Sequence, residues 1–432
     1  MSFRWTDAEV RAALGMPRGE GIRDAVYSRV STDSRTVEAS DLFVALDGDR
    51  FDGHDFVLAA LERGAAGAVV SRDVVSDPDP RFYAVPDTLV ALGDLARHRR
   101  KSLSAKVVGI TGSSGKTTTK DLLAEALGGT LSVHQTKGNL NNRIGLPLTI
   151  LATPAAVDVL VLEMGTNEPG EIGSLTHIAG PHVGVITTVS EAHLEKLGSL
   201  RGVMEEKLDL LKGLPADGLA VVGDEPPELE IEARALVPSV VVSGWSGRAL
   251  PENRPESPVV GDNGCFRFRW RGEKVELSLP GRHSVTNALL ALAVAEALGV
   301  PPGDAARGVG SVKPGGMRGE VRSLGGLTLL VDCYNANPQS LRAALELLST
   351  VRASGRRVAV LGSMLELGEE EKALHLEALE ETLSYPLDLV VATGLFADAA
   401  EEMTRAAAGP ELLVAPGLDQ AREALLLALE GT

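Results

Sequence analysis

The chain has 432 residues, too many for one compact core and enough for about three domains. Its 59 acidic against 42 basic side chains give a net charge of −17, which argues against an electrostatic grip on nucleic acid or an anionic membrane. Hydrophobic residues at 44% and charged residues at 23% exclude a disordered chain, and two cysteines fall short of a disulfide framework or a zinc site.

Residues 1–83 read as a small α/β unit. Asp33, Ser34 and Arg35 precede a strand over 42–46, a turn-rich stretch over 47–54, a helix over 56–63 and an apolar strand over 68–70. The chain's start carries charge where a signal peptide needs an apolar run, so a cytoplasmic protein is expected. From 84 to 314 strands alternate with helices. The runs 106–110, 157–162 and 183–187 are largely apolar without alternation, as in strands buried on both faces of a parallel sheet. Residues 259–279 alternate and carry turn residues, which predicts a β excursion, and 287–298 reads as a helix ended by Gly299. The apolar stretch 288–300 contains Glu296 and is too short to cross a bilayer. From 315 to 432, after a hinge at 313–316, strands over 327–331, 358–361, 387–391 and 412–414 alternate with helices over 338–348, 370–383, 395–407 and 418–429. Asn337 before Pro338 is a helix start: an Asx cap, then proline where its missing N–H is no loss. Four βα units predict an open, doubly wound, Rossmann-like sheet. The expected fold class is α/β in three domains: a small N-terminal one, a central parallel-sheet ATPase and a C-terminal Rossmann-like one.

The sharpest signal is Gly109-Ile-Thr-Gly-Ser-Ser-Gly-Lys-Thr-Thr-Thr119, between a predicted strand and a predicted helix. Gly112, Ser113, Ser114 and Gly115 let successive N–H groups face a phosphate at a helix start. Lys116 would reach the β- and γ-phosphates, and the Thr117 hydroxyl would bind Mg²⁺, with Thr118 beside it. The strict pattern wants glycine where Ile110 stands. The loop implies a nucleotide triphosphate, not what is done with it.

Mg²⁺ needs further hard oxygen ligands. Glu163 closes a buried run and so lies at a strand's carboxyl end, where α/β sheets place ligands, although a surface acid is as good a reading of one residue. His193 also follows a strand and reads either as structural or as a ligand; Lys207, among acids on a helix, reads by itself as a solvated lysine. The segment Thr136-Lys-Gly-Asn-Leu-Asn-Asn-Arg-Ile-Gly-Leu-Pro147 offers the amides of Asn139, Asn141 and Asn142, suited to a polar substrate or to an ordinary turn. Asp332, past a strand and ahead of a capped helix, could bind a ribose hydroxyl or be a plain strand-end acid.

Together these stretches resemble the Mur ligase family of ATP-dependent peptidoglycan precursor synthetases, over essentially the whole chain. Residues 111–118 look like its variant phosphate loop, without the first glycine; 136–147 look like its TxGNxNNxIGxP segment. Glu163-Met-Gly165 and Ala192-His193 match metal-linked positions, and Gly281-Arg-His-Ser-Val-Thr-Asn287 matches a stretch whose last Asn approaches adenine. Ser31-Thr-Asp-Ser-Arg35 and Asp52-Gly-His54 look like its uridine-nucleotide domain, which gives 1–83 that role with Ser34 and Arg35 as contacts. Tyr334-Asn-Ala-Asn-Pro338 and Leu361-Gly-Ser-Met-Leu-Glu-Leu-Gly368 are similar to the D-alanyl-D-alanine-adding branch, and no DNPR-like diaminoacid motif is present. Two positions depart from the family: Val331 replaces the first of two acids, and Ser284 replaces Asn after His283.

The resemblance implies an ATP-dependent, ADP-forming amide ligase. The terminal carboxylate of UDP-MurNAc-tripeptide would be phosphorylated in the 84–314 domain, and D-Ala-D-Ala would attack the acyl phosphate from the 315–432 domain. Lys116, Lys207, His193 and Arg318 would be catalytic, with Mg²⁺ on Thr117, Glu163, His193 and a carbamylated Lys207. Asn287, Arg318, Asp332 and Asn335 would border the adenosine; Thr136, Asn139, Asn141, Asn142, Tyr334 and Asn337 would face the other substrates. These partners are small molecules, and a monomer is expected. The alternatives are a sibling ligase of the diaminoacid-adding or folylpolyglutamate type and a nucleotide-binding switch.

Overall fold

Apolar runs without alternation become strands covered on both faces, and three parallel sheets are built from them among the described residues. The computed structural model describes residues 4–17, 22–48, 51–74, 79–403 and 409–429. The first sheet has four parallel strands in chain order: Arg29–Ser31, Asp41–Val44, Gly67–Val70 and Phe82–Ala84. Phe43 faces Val57 and Ala60 of the helix Val57–Glu62, while Leu42 and Val44 face the opposite way. On that side lies the helix Thr88–Lys101, capped by Asp87, whose Leu92, Leu95 and Ala96 also share a core with Leu146 and Ile150. One continuous apolar core therefore joins the first part to the central part.

The central sheet has six parallel strands in the order Ser239–Ser243, Leu219–Gly223, Val183–Ile186, Lys106–Thr111, Val159–Glu163, Val133–Gln135. After Lys106–Thr111 the chain builds outward on one side and returns, then builds on the other. Ligands of α/β sheets lie outside the carboxyl ends of strands at such a reversal. Along Val159–Glu163, Val159 and Val161 join one core and Leu160 and Leu162 the other. The expected β excursion is an antiparallel sheet of Glu256–Val260, Cys265–Trp270 and Glu273–Pro280. The helix after it, Arg282–Ala297, starts earlier than 287 because its first turn is polar and faces a cleft, which hides it from an apolar pattern.

The third part has its own parallel sheet, Val358–Leu361, Leu389–Ala392 and Glu411–Val414. Val390 and Ala392 meet Leu345, Leu379 and Phe396 on one face; Leu389 and Val391 meet Ala421 on the other. Helices thus cover both faces, as expected of a doubly wound sheet. One expectation is corrected: the strand Leu327–Val331 does not open this sheet but pairs antiparallel with Glu320–Leu324. Gly325 and Gly326, both at positive φ (57° and 89°), form the two-residue turn that favours local pairing. The predicted helix over 395–407 is observed as Leu395–Glu402, and its end at 404–407 lies outside the described residues.

Candidate active site

Three loops leave the carboxyl ends of adjacent central strands and meet at one cleft of about 680 Å³, a size suited to a nucleotide and more. The loop after Lys106–Thr111 ends at Gly115, in the left-handed region (φ 81°), and starts the helix Lys116–Gly128. A Cβ at Gly115 would lie 2.5 Å from Asn287 Oδ1, so only glycine fits against that amide. The loop is clamped by residues 187–190: Thr187 Oγ1 donates to Ser114 O at 2.5 Å, Ser113 N to Thr188 O at 2.9 Å, and Ser190 N to Ser113 Oγ at 2.9 Å. Lys116 Nζ donates to Gly112 O at 2.7 Å. Burial pushes the Lys116 ammonium below its ordinary pKa, against the pull of Glu163, with Arg318 adding to the depression.

Glu163 is 1% exposed and lies where the strand Val159–Glu163 ends. Its Oε1 accepts from Thr117 Oγ1 at 3.1 Å and Asn141 Nδ2 at 2.9 Å, and its N–H is held by Thr136 Oγ1 at 3.0 Å. Its Oε2 is buried and has no hydrogen-bond partner. A buried carboxylate oxygen is costly unless something positive meets it. The hydroxyl, the carboxylate and the open oxygen fit a hard divalent cation. Among the described residues no three His, Cys, Asp or Glu side chains converge, so such a cation would take its other ligands from phosphate and water.

His193 stands just before the short helix Leu194–Leu197, lines the same cleft, and contacts Glu366 of the third part through Nδ1. Burial lowers its pKa, with Lys116 and Lys207 pushing the same way and Glu366 opposing. Lys207 is also 1% exposed, on the apolar face of the helix Leu200–Lys212. Burial first, then Lys116, lowers its pKa to about 7, while Glu206 pulls it up. The Glu206 carboxylate is fixed by Gly170 N (2.6 Å), Ile172 N (2.8 Å) and Thr166 Oγ1 (3.2 Å).

Of the other residues singled out, Ser113, Ser114, Thr118, Asn139, Asn142, Asn287, Arg318, Asp332, Tyr334, Asn335 and Asn337 line this cleft. Burial raises the Asp332 pKa, while His283 opposes; the Arg318 guanidinium stacks 4.0 Å from the Tyr334 ring centroid. Asn337 is committed twice: its Oδ1 caps the helix Pro338–Thr350 through Ser340 N (2.8 Å), and its Nδ2 donates to Ser114 Oγ at 3.2 Å. Asn142 Oδ1 accepts from Gly145 N at 2.9 Å, so part of its capacity is structural. Gly112, Thr117, Thr136 and Lys207 do not line the cleft but stand behind its surface, Thr117 through its bond to Glu163; Ser34 and Arg35 lie apart from it, Arg35 pairing with Asp33 in solvent.

Several cleft residues escaped the sequence. Gln339 Nε2 donates to Thr188 Oγ1 at 2.9 Å, a second grip of the third part on the loop that clamps the phosphate site. Trp245, after the strand Ser239–Ser243, holds Arg282 over its ring at 4.6 Å. In a chain with 3% aromatics, a Trp at a strand's carboxyl end was the available signal. Nothing local marked Gln339.

Residues 26–100, 110–295 and 317–432 match, in turn, the Mur ligase family catalytic domain, the Mur ligase middle domain and the Mur ligase glutamate ligase domain. The UDP-N-acetylmuramoyl-tripeptide–D-alanyl-D-alanine ligase of Bacillus subtilis is 39% identical over 85% of this chain and 79% of its own length. The Escherichia coli protein of the same name is 35% identical over 86% and 82%. Among solved structures, MurF from Acinetobacter baumannii superposes with a TM-score of 0.88 at 30% identity, covering 99% of this chain and 93% of that one. MurF ligase from Thermotoga maritima in complex with ADP gives 0.77 at 32% identity, over 93% and 97%.

Proposed function

The chain belongs to the Mur ligase family, and from that premise we propose how its cleft works. It is an ATP-dependent, ADP-forming ligase that adds D-alanyl-D-alanine to UDP-N-acetylmuramoyl-tripeptide in peptidoglycan synthesis. In the proposed sequence the tripeptide's terminal carboxylate takes the γ-phosphoryl group of ATP, ADP forms, and the dipeptide amine displaces phosphate from the acyl phosphate. Two unit negative charges about 4 Å apart repel by about 4 kcal/mol at an effective dielectric near 20. Left uncompensated, one such pair would slow the first step about a thousandfold. Lys116 and Arg318 supply fixed positive charge at the cleft, and the phosphate-loop N–H groups orient the triphosphate. Mg²⁺ on Thr117 and Glu163 would neutralise phosphate charge and hold the γ-phosphoryl group.

His193 and Lys207 form the other half of the reading. An amine with a pKa about 7 is neutral in about half the molecules at pH 7, and the neutral amine is the form that adds CO₂. Carbamylation would turn Lys207 from a cation beside Lys116 into a metal-binding anion, with His193 near the second cation. Residues 1–83 would bind the uridine nucleotide through Ser34 and Arg35, 84–314 would bind ATP, and 315–432 would bring the dipeptide, with Asn287, Asp332 and Asn335 around the adenosine. Asn139, Asn141 and Tyr334 would face the substrates; Asn337 would act there mainly through its contact with Ser114. A cytoplasmic monomer completes the proposal. No helix among the described residues is long and apolar enough to cross a membrane.

The convergence of the Thr117 hydroxyl and the Asn141 amide on Glu163, a cleft-lining carboxylate with one open oxygen, is the observation that carries this reading. Phosphate release should require ATP, UDP-MurNAc-tripeptide and D-Ala-D-Ala together. With the tripeptide acid labelled in oxygen, label should appear in the released phosphate; unlabelled phosphate would refute the acyl-phosphate route.

A further inference from the structure

At the joint between the central and third parts, two non-glycine residues with left-handed backbones meet: His193 (φ 56°) and Glu366 (φ 65°). The Glu366 carboxylate contacts His193 Nδ1, and Glu366 O accepts from Glu195 N at 3.1 Å. Gly368 packs beside them so closely that a Cβ there would lie 2.8 Å from Glu195 Cα. Left-handed non-glycine residues persist only where their surroundings over-determine them, and here each is held against the other. His193 lines the cleft; Glu366 does not, and its side chain is 48% exposed, so it can be changed with little folding cost.

We propose that Glu366 is a positioning residue that acts through His193. Its carboxylate accepts from Nδ1–H once the third part is docked, fixes the ring, and leaves Nε2 for the cation and phosphate end of the cleft. A histidine that works through one nitrogen is oriented by the hydrogen bond its other nitrogen makes. Among the described residues His193 Nδ1 makes no hydrogen bond of ordinary geometry, and the Glu366 carboxylate is the acceptor in contact with it. The ring is therefore set only when the third part is in place, which ties readiness of the phosphate site to closure over it. This rests on the reading of His193 as a neighbour of the metal.

The test is calorimetric binding of a non-hydrolysable ATP analogue to the full chain across a series of Mg²⁺ concentrations, with steady-state kinetics alongside. Glu366→Ala should raise the Mg²⁺ needed for half-maximal nucleotide binding about tenfold and lower kcat similarly, at unchanged melting temperature. Glu366→Gln keeps a carbonyl oxygen for Nδ1 and should stay within about threefold of wild type. Arg352→Ala removes another contact across the joint, the 3.2 Å ion pair to Asp262 outside the cleft, and should leave the Mg²⁺ requirement alone. His193→Ala should shift it at least as far as Glu366→Ala. An unshifted Glu366→Ala beside a shifted His193→Ala overturns the positioning role. So does an Arg352→Ala that shifts as much as Glu366→Ala. If His193→Ala shifts nothing, the reading of His193 fails and takes this proposal with it.

Discussion

Lys207 sits inside a helical apolar stripe with Val203, Met204, Leu208 and Leu211, and that placement decides its chemistry. A lysine whose pKa falls from 10.5 to about 7 on folding is worst tolerated below pH 7, where both states are protonated and the folded one buries the charge. The unfolded chain binds more protons between those values, so this penalty is relieved as pH rises toward 10.5. In CO₂-free buffer Lys207→Met should therefore melt above wild type at pH 7, by a few kcal/mol in stability, and the gap should close by pH 10. A constant gap would mean the ammonium is not desolvated. Its counterpart Lys207→Ala should be inactive and partly rescued by short carboxylates. Lys116→Ala should lose turnover at an unchanged melting temperature; retained activity would remove the phosphate-loop assignment. Lys116, Thr117 and Glu163 were legible in the sequence because each follows a strand. The depth of Lys207 was legible only through the period of its neighbours: the adjacent acids suggested solvent, while residues 203, 204, 207, 208 and 211 trace one buried face.

At the scale of elements, the first turn of the helix Pro338–Thr350 separates structure from function within one side chain. Asn337 Oδ1 caps the helix, a contribution of about 1 kcal/mol, while Nδ2 reaches Ser114. Asn337→Asp keeps the cap and loses the donor. It should hold its melting temperature while the KM for ATP rises about fivefold, the worth of one hydrogen bond of about 1 kcal/mol. Asn337→Ala should show the same rise and a lower melting temperature. If Asn337→Asp binds ATP normally, the grip on Ser114 is incidental. The Asn-Pro pair made this helix start readable, because cap and proline act locally. Two other boundaries were not readable from apolar pattern: the polar first turn of Arg282–Ala297 answers to the cleft, and Leu327–Val331 answers to a Gly-Gly turn that pairs it with its neighbour.

Across the whole molecule, apolar cohesion is unevenly shared. The first and central parts are bonded through one core, whereas the third part keeps two clusters of its own and touches the shared core at its edge, through Leu374. Its grip on the phosphate site is polar: Asn337 on Ser114, Gln339 on Thr188 and Glu366 on His193. A ligand seated between the parts should thus stabilise mainly the third. With an ATP analogue and Mg²⁺ at about 100 times Kd, about 2.7 kcal/mol of stabilisation is expected. Scattering should show a smaller radius of gyration if the free chain opens. Calorimetry that resolves two transitions should show the lower one moving up; movement of the upper one alone would contradict this division. The sequence revealed three α/β units and many of their strands, since apolar runs are local, but not the order of strands within a sheet. It could not reveal which residues meet across the joint, because Gln339 and Thr188 are 151 positions apart.

The connector 312–319, between the helix Pro302–Ser311 and the strand Glu320–Leu324, is short. Short tethers hold their ends at millimolar effective concentrations. A few weak polar contacts can then seat the third part at each cycle, where a free partner would need a large oily interface. The same weakness lets go afterwards: the contacts on the phosphate site that part to release ADP and product are polar, so turnover is limited less by parting than a tighter clasp would make it.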